Sequence, residues 1–471
     1  MSPASSGPPR PAVAYAHWLD SLTRAGWDAG PAAERVPVAD ALARVSAAPI
    51  VARWPSPRSD CSAMDGIAVR AARLAVAADA SPGRDAGPDG DRHPSDGDGD
   101  PSGGGGDPSG GGGDREPVDG DGRVVRLAAG MFEWIDTGDP MPAGADTVVM
   151  REWVLPQPDG SVTVAPAVPR GKNVRRVGED FAAGDVLVPA GRRLRPGDLA
   201  AAAAGGHASL LVARPPVVAI IPTGDEIRPP GSTARPGEIL DTNSLMLAAR
   251  CRQLSAAPML SEIQPDDPDA LAAEIRRCAL DADLVLIIAG SSRGRGDHAA
   301  AVLAQVGGVA VTGVAVRPGH PALLGHAKRP GHTARTAAAG QAGIAPVIGL
   351  PGYPLAATVI FELFAAPLLA ALQGSRPTIR PALLAALDRD WSSPPGIEDW
   401  VLVTLAPSAA SASRPASPAD GALPAATPTR RGAGSISQLA RADAWWPIPA
   451  DRTAFAAGTP IEVLPLPDAP G

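Results

Sequence analysis

The stretch VVAIIPTGDEIRPPGSTARPGEILDTNS, Val217 to Ser244, decides the fold and contains the first candidate site. Its apolar start, Val217–Ile221, predicts a buried parallel strand, because strands covered on both faces have unbroken apolar runs. The polar turn Thr223–Glu226 follows and contains two adjacent carboxylates, Asp225 and Glu226. Open α/β sheets bind ligands beyond the carboxyl ends of their strands, so we predict a ligand site at this turn. A solvated loop is the alternative interpretation.

A helix is predicted directly after this turn. Asp241–Ser244 are residue types that cap helix N-termini, and LMLAARCRQL (245–254) has helical spacing. Free backbone N–H groups and the positive end of a helix dipole are therefore expected close to the turn. Both favour an anionic ligand.

Composition narrows the class of protein. The 471 residues are 45% hydrophobic, which suits roughly three or four domains. The net charge of −8 disfavours nucleic acid as a partner. No segment resembles a signal peptide, and no apolar run reaches about 18 residues without a polar residue or glycine, so we expect a cytoplasmic protein that does not bind a membrane. The three cysteines, Cys61, Cys251 and Cys278, lack the spacing of a disulfide framework or a zinc site.

Arginine must provide most cationic contacts, because Lys172 and Lys328 are the only lysines. The planar guanidinium fork suits phosphate and other oxyanions. A glycine-rich turn at 289–297 (AGSSRGRGD) follows the predicted strand Leu284–Ile288 and combines such arginines with serine hydroxyls and backbone N–H groups. It has neither Walker nor Rossmann spacing.

Two further turns join this set. Arg317–Pro321 (RPGHP) follows the apolar run VTGVAV, and LPGYP (350–354) lies between a strand and a long apolar helix. Each turn alone is explained by the needs of a strand-to-helix connection. We expect all three turns to follow strands of one sheet and to share its edge. An anion contact is the role predicted for Arg317, and a structural ion pair with Asp297 is the alternative.

The remaining segments suggest a multidomain α/β protein. Residues 14 to 50 have helical spacing, and short strands from 124 onward, among them one at Thr147–Met150, predict a β-rich domain. The Gly/Asp/Ser/Pro-rich insert 80–123 is predicted to be disordered, and its spacing disfavours a calcium-binding β-roll. We predict a helical domain (1–50 and 170–206), an inserted β-rich domain (51–169), an α/β domain (207–376) and a C-terminal small β-barrel or sandwich (377–471).

Seven motifs occur in an order that resembles the MoeA and gephyrin E-domain family of molybdopterin molybdenumtransferases. They are SAMDGIAV, IDTGDPMPAGADTVV, GKNVRRVGEDFAAGDVLVPAG, TGDEI with DTNS, AGSSRGRGD, RPGHP and LPGYP, and the resemblance spans residues 14 to 466. It implies a central three-layer α/β molybdopterin-binding-like domain and an elongated homodimer with a shared active site. It also implies magnesium-dependent insertion of molybdate into adenylylated molybdopterin, with release of AMP. A molybdopterin adenylyltransferase and recipient molybdoenzymes are the implied protein partners.

The resemblance also assigns site residues. The implied catalytic residues are Asp65, Thr137, Asp180, Asp225, Glu226, Asp297 and Arg317. The implied cofactor-binding residues are Gly290, Ser291, Ser292, Gly294, Pro318, Gly319, His320, Pro351, Gly352 and Pro354. Asp225, Glu226 and Asp297 are the implied magnesium ligands.

Departures from the family pattern concentrate on its basic residues. Arg317 and His320 stand where a KPGKP turn has lysines, Gly313 stands where another lysine is common, and Ala289–Ser291 replaces an SGG turn. These changes resemble a divergent branch and leave tungstate open as the metal substrate. The resemblance is also compatible with a non-catalytic molybdopterin-binding scaffold and with a related enzyme that transfers an adenylyl group to molybdopterin.

Overall fold

The computed structural model describes residues 7–28, 30–74, 124–164, 168–288, 298–329, 343–376, 381–407, 423–430, 432 and 434–466. The predicted disordered insert 80–123 and the turn 289–297 lie outside these ranges. The described chain divides into two compact units. The larger comprises Met1–Ile50, Val188–Leu199 and Ala208–Gly471, and the smaller comprises Val51–Leu187 and Ala200–His207.

The helices are α1 (Pro11–Arg24), α2 (Pro196–Ala204), α3 (Asn243–Gln253), α4 (Pro268–Asp281), α5 (Ala299–Val306), α6 (Pro354–Ile360), α7 (Ala366–Leu372) and α8 (Ile436–Arg441). Single turns of 3-10 helix span Val38–Asp40 and Arg151–Trp153, and a π-helical turn spans Phe361–Ala365.

The strands of the first half are β1 (Ala33–Pro37), β2 (Ile50–Val51), β3 (Cys61–Ser62), β4 (Gly66–Val69), β5 (Val125–Leu127), β6 (Glu133–Ile135), β7 (Thr147–Met150), β8 (Val154–Pro156), β9 (Val162–Val164), β10 (Val174–Arg175), β11 (Val186–Val188) and β12 (Ser209–Ala213). Those of the second half are β13 (Val217–Pro222), β14 (Ile227–Arg228), β15 (Ile239–Leu240), β16 (Ala257–Leu260), β17 (Leu284–Ile288), β18 (Gly307–Thr312), β19 (Val316–Arg317), β20 (Leu323–Lys328), β21 (Ile344–Leu350), β22 (Leu383–Leu387), β23 (Trp391–Ser392), β24 (Glu398–Ala406), β25 (Ala425–Pro428), β26 (Ala444–Ile448), β27 (Ala454–Phe455) and β28 (Pro460–Pro465).

A six-stranded mixed sheet organises the larger unit. Its order is β16-β13-β17-β21-β20-β18. The first four strands pair in parallel, β20 pairs antiparallel with β21, and β18 pairs antiparallel with β20. All five residues of β17 are buried, as are five of the six residues of β13. The parallel strand predicted at Val217–Ile221 is confirmed, and its unbroken apolar sequence reflects cover on both faces.

Two hydrophobic cores on either side of this sheet give it a three-layer structure. One face of the sheet packs with residues of α1, α3, α6 and α7, and the other packs with α4 and α5. Trp18 of α1 is fully buried, and its indole N–H donates to the carbonyl of Gly325 in β20 at 2.8 Å. The first helix therefore packs on the α/β core. The grouping of residues 1–50 with 170–206 in one domain stays a prediction.

The helical prediction for residues 14 to 50 is only half right. α1 ends at Arg24, and the second part, VPVADALARVSAAPI, starts within a strand. There β1 pairs with β12 along the register Ala33↔Ala213 to Pro37↔Ser209. Ala43 adopts a left-handed backbone (φ 62°), which a continuous helix excludes. Pairing with a strand far along the chain thus outweighs local helical spacing.

The long apolar helix Pro354–Leu372 passes, by length and composition alone, the test for a membrane-crossing helix. Phe361, Phe364 and Leu368 are buried in the core between this helix and the sheet. Glu362 forms an ion pair with Arg250 of α3 at 2.6 Å. Pro367, the second residue of α7, lacks a backbone N–H, which accounts for the π-helical turn just before it.

The C-terminal segment forms the small β-barrel that the sequence predicted. Its strands follow the order β24-β25-β22-β28-β26, and pairing of β24 with β26 closes the barrel. Trp446 and Phe455 stack edge to face inside it, with ring centroids 4.9 Å apart. The short strand β19 joins the barrel in parallel with β24.

This pairing corrects the expectation that RPGHP follows a strand of the α/β sheet. The apolar run VTGVAV is broken at Gly313, whose φ of 79° turns the chain. The half before it ends β18 in the α/β sheet, and Val316–Arg317 pair with Glu398 and Asp399 of the barrel. The Thr223–Glu226 and 350–354 turns follow the parallel strands β13 and β21, and residues 289–297 come after β17, which lies between them.

The smaller unit is β-rich. It contains two three-stranded sheets, β6-β4-β7 and β5-β9-β8, which contribute to two buried apolar clusters. The strand predicted at Thr147–Met150 is β7, and Asp65 immediately precedes β4.

Candidate functional site

The Thr223–Glu226 turn is tied to the sheet by its first two residues. The backbone N–H and the hydroxyl of Thr223 each donate to the carbonyl of Ile288, the last residue of β17, at 3.1 Å. The N–H of Gly224 donates to the carbonyl of Gln264 at 3.1 Å. Asp225 and Glu226 follow this anchored start and are both exposed. The sheet thus fixes the backbone that presents the two carboxylates.

Asp225 lies against a third acidic residue. Its N–H donates to a carboxylate oxygen of Asp266 at 3.4 Å, and the N–H of Asp266 donates back to Asp225 at 3.3 Å. These contacts are long, and three carboxylates close to one turn repel one another. A cation relieves this repulsion.

The donor set suits magnesium. Mg²⁺ prefers oxygen ligands and keeps several of its waters, so one or two protein carboxylates are sufficient. Asp225 and Glu226 meet this requirement. Within the described ranges no group of three or more histidine, cysteine, aspartate or glutamate side chains has the arrangement of a complete metal site. The predicted third ligand, Asp297, lies outside the described residues.

The N-terminus of α3 adjoins the 350–354 turn. Asn243 is buried, and its amide Nδ2 donates to the carbonyl of Gly352 at 2.7 Å. Ser244 is also buried, and its N–H is capped by the carboxylate of Asp241 at 3.0 Å. The amide oxygen of Asn243 and the hydroxyl of Ser244 have no hydrogen-bond partner within the described residues. Sequence reasoning used both residues only as caps and missed the contact with Gly352.

The 350–354 turn lies between a strand and a helix, as predicted. Pro351 is buried at the end of β21, Gly352 is exposed, and Pro354 begins α6, where its fixed φ suits the first helical turn. The predicted anion-binding residues Gly290, Ser291, Ser292 and Gly294 lie outside the described residues. They follow β17, which lies between β13 and β21.

Arg317 contacts the barrel through an ion pair that the sequence did not predict. Its Nε and Nη2 donate to the two carboxylate oxygens of Asp399 at 3.2 and 3.0 Å. The Asp399 side chain is 4% exposed, whereas that of Arg317 is 39% exposed. The sequence suggested Asp297 as a partner for Arg317, and the structure pairs it with Asp399, 82 residues away.

The neighbouring residues of this turn are packed firmly. Gly319 has a φ of 123°, and an added Cβ would lie 2.8 Å from Ile360 of α6. A ring nitrogen of His320, Nδ1, lies 2.9 Å from the carbonyl of Val314, and the side chain is exposed. A cavity of about 230 Å³ lies beside the turn and is lined by residues that include Arg317, Pro318, Leu355, Asp399, Trp400 and Arg430.

The smaller unit brings the predicted residues Asp65 and Thr137 together. The hydroxyl and the backbone N–H of Thr137 both donate to Oδ1 of Asp65 at 2.7 Å. These two bonds lower the pKa of the Asp65 carboxyl below its ordinary value, and the charge of Arg151 acts in the same direction. Asp65 is therefore held ionised in a fixed orientation, although it is fully exposed.

Asp180 lies in the same unit on the loop after β10. Its N–H donates to the carbonyl of Ser56 at 3.0 Å, and its side chain is exposed. Asp60, which the sequence did not single out, organises the same loop. It accepts hydrogen bonds from the N–H of Val177 at 2.9 Å and from Arg176 at 2.6 Å, and both lower its pKa.

Three family models match consecutive parts of the chain. They are the MoeA N-terminal region (domain I and II) at residues 13–206, the "Probable molybdopterin binding domain" at 219–371, and the MoeA C-terminal region (domain IV) at 385–466. The middle model covers the larger part of β13, the 289–297 segment and the turn after β21.

Curated relatives match over most of the chain. Molybdopterin molybdenumtransferase 2 of Mycobacterium tuberculosis is 30% identical over 446 residues, which cover 92% of this chain and 94% of that protein. The molybdopterin molybdenumtransferase of Synechococcus elongatus is 30% identical over 444 residues, covering 92% and 95%.

A solved structure has the same architecture. The molybdopterin biosynthesis MoeA protein of Pyrococcus horikoshii superposes with a TM-score of 0.71 at 25% identity and covers 98% of this chain and 99% of its own. Taken together with the ordered domains and the strand-end carboxylates, these matches show that the chain belongs to the MoeA family of molybdopterin molybdenumtransferases.

Proposed function

We propose that this molybdenum cofactor enzyme inserts molybdate into adenylylated molybdopterin in a magnesium-dependent reaction that releases AMP. The observation that carries the proposal is the exposed pair Asp225 and Glu226, held at the carboxyl end of β13 by the anchored start of its turn. Ligands of open α/β sheets bind at such strand ends.

Asp225 and Glu226 would hold Mg²⁺, with Asp297 as the predicted third ligand. Bound there, the ion would neutralise phosphate charge on the adenylylated substrate. The chain itself orients the substrate. The N-terminus of α3 offers backbone N–H groups to an anion, and Asn243 fixes the 350–354 turn through Gly352. Phosphoryl-group chemistry depends chiefly on such positioning and charge stabilisation.

The predicted anion contacts complete the proposal. Gly290, Ser291, Ser292 and Gly294 would supply N–H and hydroxyl donors. Arg317 would supply a permanent positive charge, and His320 of the same turn would add a ring nitrogen. We propose that Pro318, Gly319, Pro351, Gly352 and Pro354 shape the loops that carry these donors.

We further propose that the protein is a cytoplasmic homodimer. In this arrangement the Asp65–Thr137 pair and Asp180 of one protomer complete the strand-end site of the other, as the resemblance implies. A symmetric dimer then contains two equivalent sites. A molybdopterin adenylyltransferase and recipient molybdoenzymes are the proposed upstream and downstream partners.

The test uses purified protein with adenylylated molybdopterin, Mg²⁺ and molybdate, and it measures AMP by chromatography and metal in the isolated cofactor by mass spectrometry. We expect stoichiometric AMP and molybdenum-loaded cofactor, with both lost when EDTA replaces Mg²⁺. Substrate binding without AMP release would contradict the proposal and favour the non-catalytic scaffold. AMP release without metal loading would contradict metal insertion.

Tungstate is the second candidate substrate, because Arg317, His320 and Gly313 depart from the family's basic pattern. The same assay with tungstate in place of molybdate distinguishes the two. A kcat/KM for tungstate that exceeds that for molybdate would assign the enzyme to tungsten cofactor synthesis.

A further inference from the structure

Asp399 connects the C-terminal barrel to the RPGHP turn. Strand β19 pairs in parallel with the start of β24, so that Arg317 lies opposite Asp399. The hydroxyl of Ser393 donates to Oδ2 of Asp399 at 3.0 Å, in addition to the two bonds from Arg317. These hydrogen bonds hold a carboxylate that is almost completely withdrawn from water.

Only one edge of the Arg317 guanidinium is used in this pair. Nε and Nη2 contact Asp399, while Nη1 has no hydrogen-bond partner within the described residues. A planar guanidinium has two such edges in fixed geometry, so fixing one also fixes the other. A lysine has three donors on one freely rotating ammonium group, so its contact with a carboxylate would not fix the direction of the other donors.

The surroundings of Arg317 connect it to the strand-end loops. Its cavity is also lined by Leu355, which belongs to α6, the helix that starts at the 350–354 turn. Gly319 of the RPGHP turn packs on Ile360 of the same helix. The charged residues that line the cavity are Arg317, Arg430 and Asp399. Their charges sum to one net positive charge. An anion is therefore favoured there over a cation.

We propose that Asp399 is a positioning residue, which orients the Arg317 guanidinium so that its Nη1 edge is available to the oxyanion substrate. This inference rests on the proposed function, in which Arg317 contacts that anion. The C-terminal barrel then helps to determine how the anion is bound. The proposal also explains why position 317 has an arginine, since a lysine could not be oriented in the same way.

A second ion pair in the same unit provides a matched control. Arg214 donates through Nη2 to both oxygens of Asp283 at 3.0 and 2.9 Å. Their side-chain exposures of 33% and 7% are close to those of the Arg317 pair. Asp283 also accepts from the N–H of Val217, the first residue of β13, and therefore lies at the amino end of the strand, away from the Thr223–Glu226 turn.

The experiment compares Asp399→Asn with Asp283→Asn. Both variants keep the shape of the side chain and remove its charge, and we expect both to lower Tm. Asp399→Asn should also raise the KM for molybdate about tenfold with little change in kcat, because one charge-assisted contact loses its orientation. Asp283→Asn should leave that KM unchanged. Calorimetric titration with molybdate should show the same difference in Kd, and Asp399→Glu should recover part of the affinity.

A double-mutant cycle separates positioning from a direct role. Arg317→Gln should raise the molybdate KM on its own, and its amide can still donate to Asp399. Adding Asp399→Asn to this variant should raise KM no further, because a positioning residue acts only through the group it orients.

Each contrary outcome identifies what is wrong. An unchanged or lowered KM in Asp399→Asn, with a raised KM in Arg317→Gln, overturns the role of Asp399 and leaves the proposed function in place. Additive effects of the two substitutions also overturn it. An unchanged KM in Arg317→Gln, in protein that retains AMP release, overturns instead the proposed anion contact of Arg317.

Discussion

Asp65, just before β4, and Asp225, just after β13, are both exposed carboxylates next to a glycine, yet their surroundings differ. One oxygen of Asp65 accepts two hydrogen bonds of 2.7 Å from Thr137. The carboxylate of Asp225 accepts one bond of 3.3 Å from the backbone of Asp266. The first side chain is fixed, and the second is nearly free of protein donors among the described residues.

This difference indicates two kinds of role. A carboxylate with one oxygen held by two short hydrogen bonds is oriented in advance and can act by position. A carboxylate with few donors and acidic neighbours retains its lone pairs for a cation. Under the proposed function, Asp65 would orient a substrate group, and Asp225 with Glu226 would hold magnesium.

Substitution of the two adjacent glycines has the largest expected effect. An alanine Cβ at Gly66 would lie 1.9 Å from the carbonyl oxygen of Val149, a backbone atom of β7 that cannot move aside. At Gly224 the Cβ would meet side-chain atoms of Glu226 and Ile227 at 2.8 and 2.9 Å, with a strained φ of 135°. We expect Gly66→Ala to cost about 3 kcal/mol and Gly224→Ala about 1 to 2 kcal/mol.

Urea denaturation followed by tryptophan fluorescence measures both costs. Gly66→Ala should also remove AMP-releasing activity, because Asp65 is carried by the displaced strand. Equal destabilisation by the two alanines would show that Asp65 does not depend on a rigid β4–β7 pairing.

Hybrid dimers test the two roles next. Asp65→Ala and Glu226→Ala should each lower AMP release about a hundredfold, as expected when a charged group in a polar site is removed. If the site is shared between protomers, random exchange of the two variants restores one intact site in half of the dimers, about a quarter of wild-type activity.

A tagged heterodimer purification confirms that exchange has occurred. Mixing Asp65→Ala with Thr137→Ala provides the control, since both lesions then fall on the same half of the site and no rescue is expected. Absence of rescue in confirmed Asp65/Glu226 hybrids would place both residues in one protomer's site.

The dependence of the reaction on magnesium also distinguishes Asp65 from Asp225. Asp225→Asn should raise the Mg²⁺ concentration for half-maximal AMP release about tenfold, because a charged ligand becomes neutral. Asp65→Asn should lower turnover without moving the midpoint of the Mg²⁺ titration. Equal shifts in both variants would show that the two carboxylates do not have separate roles.

Local signals in the sequence were sufficient for much of the fold. The strands at Leu284–Ile288 and Thr147–Met150 have the predicted bounds, because apolar runs between turn residues are locally encoded. The helix predicted within residues 36–50 is wrong for the converse reason. The conformation at the start of this segment is determined by pairing with β12, which lies far along the chain. Residue spacing within the segment does not reveal that partner.

The candidate site also has a part that local sequence predicts and a part that it does not. Strand ends were predictable, so the Thr223–Glu226 and 350–354 turns fall on one edge of the sheet. Asp399 and Asp60 were missed because their partners, Arg317 and Arg176, lie 82 and 116 residues away. A carboxylate can be paired with an arginine so far along the chain only once the topology is known.

The smallest expected effect concerns the hydrogen bonds that distinguish Asp65. Thr137→Val removes the hydroxyl donor and keeps the backbone N–H, so the pKa of Asp65 should rise toward its ordinary value of 3.8 without reaching it. A depressed carboxyl pKa stabilises the fold above the unfolded-state pKa, and this stabilisation is lost as pH falls through the folded-state pKa. Carbon-13 NMR of aspartate carboxyls, assigned with Asp65→Asn, measures the change, and Asp60 should titrate as before because its donors are Val177 and Arg176.

At neutral pH Asp65 stays ionised in both proteins. A loss of turnover in Thr137→Val that Thr137→Ser recovers therefore reports the orientation of the carboxylate, whereas an unchanged titration would show that the hydroxyl bond does not hold Asp65 in solution.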